Sequence, residues 1–274
     1  MKVVTLLENT TCREDLACAH GLSLYIETER NKILFDMGPD ESFLENAKAL
    51  GVDISKVNIA FLSHGHSDHV GGLEAFCKVN RGADVLVHPA AYGEFYSKDG
   101  EEFRYIGVKE MLDKASGRTV PTAGALPMGQ MLLFSSSVPY DEKALESSAA
   151  LHEKKNGEFV RDDFRHEQNL LVTENGKSVL FAGCAHRGVV SIIEAAEWIT
   201  GKRPDVVFGG FHMFRLAEGD PAGDALIEET GRKLLEGDTV YYTGHCTGEY
   251  AYNKLKAILG DRLQPMTGGS VVEI

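Results

Sequence analysis

The sequence predicts an α/β fold, and three observations predict it. Short apolar runs alternate with stretches of helical spacing along most of the chain. Three histidines and an aspartate crowd one turn, Ser63-His64-Gly65-His66-Ser67-Asp68-His69-Val70-Gly71-Gly72, between an apolar run at 58–62 and a helical pattern at 70–79. Further predicted strands end at Cys184 and His186, at His212 and at His245, each followed by a glycine-rich turn or a helix. Ligands of layered α/β proteins gather at the carboxyl ends of strands, so these residues are expected to converge.

Taken in order, residues 3–7 and 22–28 read as strands, joined by a loop that carries Cys12, Cys18 and His20. A turn at Asn31-Lys32 leads into a third strand, 33–35, and then Asp36-Met37-Gly38. A carboxylate ending a buried strand needs partners, because an unpaired buried charge is costly; Asp36 could also simply cap the helix expected at 43–50. After the histidine turn, residues 84–88 form a strand that ends in His88, read as structural, and Pro89 opens a helix from its favoured first turn. Residues 97–118 are polar and read as a solvated helical excursion, and 129–134 as a strand. Residues 135–165 are charged and weakly periodic, which marks a candidate lid, since long irregular segments in compact domains are often binding loops. A hairpin turns at Asn175-Gly176, a helix with one apolar face covers 189–199, and a strand runs over 204–208. An amphipathic helix at 225–235, a strand at 239–242, a helix at 249–259 and an edge strand within 269–274 complete the chain.

His64 and His66 are two residues apart, so on an extended segment both imidazoles face one side and reach one cation; Asp68 and His69 can face a second point nearby. Imidazole and carboxylate suit Zn²⁺, Fe²⁺ and Mn²⁺ alike. The Gly71-Gly72 pair lets backbone pack closely behind the cluster.

This H-x-H-x-D-H signature, in its strand-turn-helix setting, resembles that of the metallo-β-lactamase superfamily. The resemblance implies a four-layer αβ/βα sandwich with one or two divalent metal ions, zinc first, manganese or iron as alternatives. It implies that Asp36 orients metal ligands and that His245, in Thr-Gly-His-Cys-Thr-Gly, is the late histidine ligand. Cys184, in Gly-Cys-Ala-His, stands where most members have the aspartate that bridges two metals. A thiolate ligates zinc or iron well but is less usual as a bridge, and Cys184 could equally be a small buried residue. His186 or His166, or both, would be the middle ligand, and His212 falls where some hydrolases of the family place a proton donor. Gly-Cys-Ala-His, Gly-Gly-Phe-His and Thr-Gly-His-Cys-Thr-Gly together look like one subgroup, often named 7,8-dihydropterin-6-yl-methyl-4-(β-D-ribofuranosyl)aminobenzene 5′-phosphate synthase.

The first functional expectation is a metal-dependent hydrolase of an ester, phosphoester or lactone. His64, His66 and His186 or His166 would hold one metal, Asp68, His69 and His245 a second; Asp68 would also orient the metal-bound hydroxide, and His212 would be the proton donor. The alternatives are a transferase joining a pterin diphosphate to an aminobenzene ribosyl phosphate, and a non-catalytic or redox metal sensor. A diiron redox branch carries glutamate where this chain has His66, which lowers the last reading.

Length and composition set outer bounds. At 274 residues, with 43% hydrophobic residues and no linker-like stretch, one domain over 1–274 is expected. The net charge of −13 argues against general nucleic-acid binding, which is dominated by Lys and Arg. The apolar run at the start is too short for a signal peptide and none elsewhere is long enough for a membrane helix, so a cytoplasmic protein acting on a small molecule is expected. Five cysteines without a secretion signal read as reduced thiols.

Overall fold

The computed structural model describes residues 1–135 and 146–274. The chain divides into two compact units. The first comprises Met1–Ala123, Ala150–Gln168 and Thr267–Ile274, the second Gly124–Ala149 and Asn169–Met266.

In the first unit seven strands form one mixed sheet: β1 (Lys2–Leu7), β2 (Ser23–Glu27), β3 (Lys32–Phe35), β4 (Ile59–Phe61), β5 (Asp84–Val87), β8 (Thr119–Pro121) and β18 (Val271–Glu273). The order is β18-β1-β2-β3-β4-β5-β8. It is antiparallel from β18 to β3 and parallel from β3 to β8. Phe35 and Phe61, neighbours in register, stack at 5.1 Å, a contact worth about 0.5–1.5 kcal/mol beyond its burial. Leu34, Phe43, Ala60, Leu73, Phe76 and Val85 belong to this unit's own core.

A second, four-stranded sheet in this unit corrects the sequence reading twice. The expected solvated excursion at 97–118 contains a hairpin, β6 (Phe95–Asp99) and β7 (Glu102–Tyr105), before the short helix Lys109–Lys114. Of the candidate lid 135–165, residues 136–145 lie outside the described residues, and 151–161 form the hairpin of β11 (Leu151–Lys155) and β12 (Glu158–Arg161). The sheet runs β12-β11-β6-β7. Its alternation is hidden in the sequence because charged Glu153 points inward, where its carboxylate meets Lys155 at 2.9 Å and Arg165 at 2.7 Å. A period-two apolar pattern cannot show such a strand.

The second unit holds the other seven-stranded sheet, of order β17-β16-β15-β14-β13-β10-β9. Its strands are β9 (Leu126–Met128), β10 (Met131–Phe134), β13 (Asn169–Glu174), β14 (Lys177–Phe181), β15 (Val206–Phe208), β16 (Val240–Thr243) and β17 (Leu263–Pro265). The β13–β14 hairpin turns at Asn175 and Gly176, both at positive φ, as a two-residue turn of this type requires. Strands β14 to β17 are parallel, so their carboxyl ends share one edge. Phe181, Phe208 and Tyr242 pair across three of these strands and stack at 5.5 and 4.6 Å, which fixes the register just before those ends. Helix Val189–Thr200 buries Val189, Ile192, Ile193 and Ala196, the face its spacing predicts. Helix Pro221–Leu234 begins where Asp220 accepts from the Ala222 amide at 3.1 Å and Pro221 takes the first turn. Among the described residues no helix is long and apolar enough to cross a membrane, and none of the five cysteines is in a disulfide.

Candidate metal centre

In the first unit the histidine turn leaves β4 and is seated on the segment after β3. The Met37 amide donates to the His69 carbonyl at 2.7 Å and Leu22 N–H to the Asp68 carbonyl at 3.3 Å. A Cβ at Gly71 would collide with the Pro39 backbone and one at Gly72 with Met37, so both positions need glycine for this close approach. The pair does what the sequence suggested.

Asp36 is fully buried and is the hub of the cluster. Its Oδ1 accepts from Ser63 N–H at 2.7 Å, and its Oδ2 accepts from Ser63 Oγ–H at 2.6 Å and from His69 Nδ1 at 2.7 Å. Because the Ser63 hydroxyl spends its proton on Asp36, the 2.8 Å contact between Ser63 Oγ and His64 Nδ1 is donated by the imidazole. Both His64 and His69 therefore carry their proton on Nδ1, which leaves the lone pair of each on Nε2. One carboxylate thus sets the tautomer of two imidazoles, directly for His69 and through Ser63 for His64. This is the arrangement in which a histidine binds a metal through one nitrogen and is oriented through the other. Asp36 itself sits at φ 57°, a conformation that few residues other than glycine tolerate. Its carboxylate and the two imidazoles bring donor atoms within 4.8 Å of one another.

Burial pushes the His64 imidazole well below the ordinary 6.5, with the neighbouring His69, His66 and His166 adding to it. Burial likewise lowers His66, against the opposing pull of Asp162. Both are thereby held neutral, the form that ligates metal. Asp68 is the most accessible acid group here: its side chain is 23% exposed, and Oδ2 lies 3.5 Å from Nε2 of both His69 and His20.

His166 lies with His66 and Asp162, their ligand atoms within 4.8 Å of one another. Its Nδ1 accepts from the Gly65 amide at 3.0 Å, so its proton is on Nε2, which meets Asp162 Oδ2 at 3.0 Å. Both ring nitrogens are thus engaged by the protein, and His166 fixes the Gly65 backbone between His64 and His66. Asp162, 3.8 Å from His66 Nε2, was not singled out in the sequence. Burial pushes its carboxyl up, but His166 and His66 outweigh this and hold it well below the usual carboxylate range. The only sequence signal for it is its place four residues before a histidine. Gln168 is a second missed residue: it accepts from Thr122 Oγ1 and donates to the carbonyls of Leu62 and Leu86, tying together the exits of β4 and β5.

In the second unit the remaining expected residues follow the ends of β14, β15 and β16. Cys184 and His186 are buried in the first of these turns, His212 in the second, His245 with Cys246 in the third. The His186 and His212 rings lie 4.2 Å apart. Ala185, His212 and His245 all adopt positive φ, of 52°, 48° and 48°. The turns are tied to one another: Gly210 N–H donates to Gly183 O at 2.8 Å, Met213 N–H to Cys246 O at 2.9 Å, and Phe211 N–H to Thr247 Oγ1 at 3.0 Å. Cys184, His212 and Cys246 bring their ligand atoms within 4.8 Å of one another, and Cys246 was the member the sequence reading left without a role.

Residues 17–245 match the family model described as the metallo-beta-lactamase superfamily. The chain is 28% identical to 7,8-dihydropterin-6-methyl-4-(beta-D-ribofuranosyl)-aminobenzene-5'-phosphate synthase of Methanocaldococcus jannaschii, over 93% of this chain and 90% of that one. Its structure is similar to that of Tm1679, described as a metal-dependent hydrolase of the beta-lactamase superfamily, with a TM-score of 0.80 and 27% identity, covering 100% of this chain and 99% of that one. The fold is shared too by zinc-bound PqqB from Methylobacterium extorquens, at a TM-score of 0.56 and 13% identity over 100% of both chains. A family match over most of the length, and a histidine turn wired as a metal-binding turn, lead to one conclusion: the chain belongs to the metallo-β-lactamase superfamily and, within it, resembles the subgroup of the archaeal synthase.

Proposed function

We propose that this chain is a metal-dependent hydrolase of a small-molecule ester, phosphoester or lactone. The observation that carries the reading is the wiring of Asp36, which sets His69 directly and His64 through Ser63 so that both offer Nε2. His64, His66, Asp68 and His69 are the ligands we assign in the first unit, with His186 and His245 as those the family pattern adds. The donor set of neutral imidazoles and one carboxylate fits zinc, manganese or iron. A divalent ion held there supplies Lewis acidity, under which water loses a proton near neutral pH. Asp68, partly open to solvent, would orient that water. Asp36 keeps the imidazoles aimed, and His166 keeps Gly65 in place between two of them. The similarity to Tm1679, a metal-dependent hydrolase of the beta-lactamase superfamily, supports the hydrolytic reading.

A second reading is favoured by the 28% identity to the archaeal synthase. The same residues would then hold a diphosphate leaving group, and no water would attack. The metal-loaded protein assayed on generic phosphodiesters and lactones decides between them, alongside condensation of a pterin diphosphate with an aminobenzene ribosyl phosphate. Hydrolysis that His66→Ala removes together with the metal supports the first reading. Condensation without generic hydrolysis supports the second, and tight metal binding with neither activity rules out both in favour of a sensor.

A further inference from the structure

We propose that the outer face of the four-stranded sheet β12-β11-β6-β7, the face turned away from Phe95 and Glu153, is a docking surface for single-stranded nucleic acid. The sheet lies wholly within the first unit, and the proposal uses no residue assigned to the metal centre, so it stands or falls apart from the hydrolytic reading.

The register lays out what this face carries. One row crosses all four strands: Arg161 pairs with His152, His152 with Tyr96, and Tyr96 with Tyr105. Beside the row, Lys98 pairs with Phe103 in one hairpin and Lys154 with Phe159 in the other. Side chains alternate between the faces of a strand, so these eight share one face, and every one of them is a ring or a cation. The carboxylates of the same strands, Asp99, Glu102, Glu153 and Glu158, alternate onto the opposite face. In a chain of net charge −13 this is a local change of sign.

The rings are locked against one another. Phe103 and Phe159, from the two border strands, stack at 3.8 Å. Tyr96 meets Phe159 edge-on at 4.9 Å and Tyr105 at 5.3 Å, and His152 meets Phe103 at 5.2 Å. Lys98 Nζ lies 5.5 Å from the centre of the Phe103 ring, and Lys154 Nζ lies 5.5 Å from that of Phe159. From below, the sheet is held by Phe95, whose ring is 4.0 Å from that of His166, and by the ion pairs of Glu153. A surface ordered in advance loses little side-chain freedom when something binds it. Even so, Tyr105 and Phe159 remain 45% and 37% exposed.

Charge decides the occupant. A second copy applied by this same face would set cations against cations, since a two-fold interface pairs a patch with itself. The partner is therefore anionic, and the rings call for one with flat faces of its own. A single strand of nucleic acid supplies both in every nucleotide, and surfaces that hold it combine cations along the backbone with aromatic rings under the bases. An acidic peptide would match the cations alone, and a duplex keeps its base faces stacked inside. The negative charge elsewhere on the chain is screened beyond about 8 Å at physiological salt, so it does not cancel the patch.

The test is fluorescence anisotropy of labelled oligothymidylate and oligouridylate with the full zinc-loaded chain over a series of salt concentrations. Both oligomers should bind, with log K falling against log salt at a slope of about −1.4, which is −0.7 for each of two lysine–phosphate contacts. Tyr105→Ala should weaken binding about fivefold or more, the loss of one base stack, and Tyr105→Phe should restore it. Lys98→Gln with Lys154→Gln should flatten the slope, whereas the same change of charge at Lys78 and Lys114, on helices outside this sheet, should leave it as in wild type. His66→Ala should bind as wild type does. The proposal is overturned by an absence of binding, by equal affinity for a duplex or for polyglutamate, or by a Tyr105→Ala protein that binds as tightly as wild type. Binding that His66→Ala abolishes also overturns it, because the strand would then sit at the metal centre.

Discussion

Replacing Asp36 by asparagine tests the wiring of the histidine turn most directly. The side chain keeps its shape but exchanges one acceptor oxygen for an amide donor. The wild-type carboxylate accepts three hydrogen bonds, from Ser63 N–H, Ser63 Oγ–H and His69 Nδ1–H. An amide oxygen can keep one side of this arrangement, and the amide NH₂ then faces a donor on the other. His69 escapes the clash by moving its proton to Nε2, the nitrogen meant for the cation, and His64 loses its fixed tautomer through Ser63. Outer partners of metal-bound histidines are each worth about 10–100-fold in metal affinity. With two imidazoles set by one carboxylate, Asp36→Asn should weaken zinc binding by about 100-fold or more, about 2.8 kcal/mol at ~1.4 kcal/mol per decade. Ser63→Ala cuts only the branch to His64 and should cost about 10-fold. Because Ser63 acts through Asp36, the double variant should bind within about threefold of Asp36→Asn alone, a non-additivity that independent sites do not show. Competition with a chromophoric chelator measures all four affinities, and circular dichroism confirms that each variant is folded. An Asp36→Asn protein that is folded and binds zinc as tightly as wild type would refute the reasoning.

Three further outcomes follow from the same geometry. The metal-free protein should lose stability as pH falls: His64 and His66 are lowered from 6.5 by burial, so the unfolded chain takes up protons first below that pH. Their contribution is complete above the unfolded value and declines as pH drops toward the folded one, at up to about 1.4 kcal/mol per pH unit for each histidine; urea unfolding from pH 7 to 5 with a flat profile would contradict this. His166→Gln should leave zinc stoichiometry unchanged while destabilising the protein by about 1–3 kcal/mol, because the buried Asp162 loses a hydrogen bond; elemental analysis showing a lost metal would make His166 a ligand. Gly71→Ala forces a Cβ into the Pro39 backbone and should cost at least about 1–3 kcal/mol by overpacking; a thermal midpoint equal to wild type would show that the segment yields freely.

The parts of the fold legible in the sequence are those whose signal is local. The strand-turn-helix around His64, the Asn175-Gly176 hairpin and the strands ending in cysteine or histidine each announce themselves within ten residues or so, and the structure contains them. The β11–β12 hairpin was not legible, because Glu153 occupies an inward position through ion pairs with Lys155 and Arg165 that no window on the sequence displays. The wiring of His166 is hidden for a related reason. Its Nδ1 accepts from the Gly65 amide, 101 residues away, a pairing that no local pattern displays. Ser63 is equally silent in the sequence: a serine beside a histidine is common, and only the buried Asp36 behind it turns it into a relay.

The path of the chain has a consequence for how the protein can be taken apart. It passes from one unit to the other after residues 123, 149, 168 and 266. No single cut separates the units, so neither can be expressed or exchanged as one continuous stretch. The first unit draws on three separate stretches, and its sheet is bordered by a strand that pairs Lys2 with Glu273. Contacts this distant in sequence carry a large loop-closure cost and slow folding. The histidine turn, although it is spelled out within ten consecutive residues, is therefore rigid only once segments made far later have arrived to hold it.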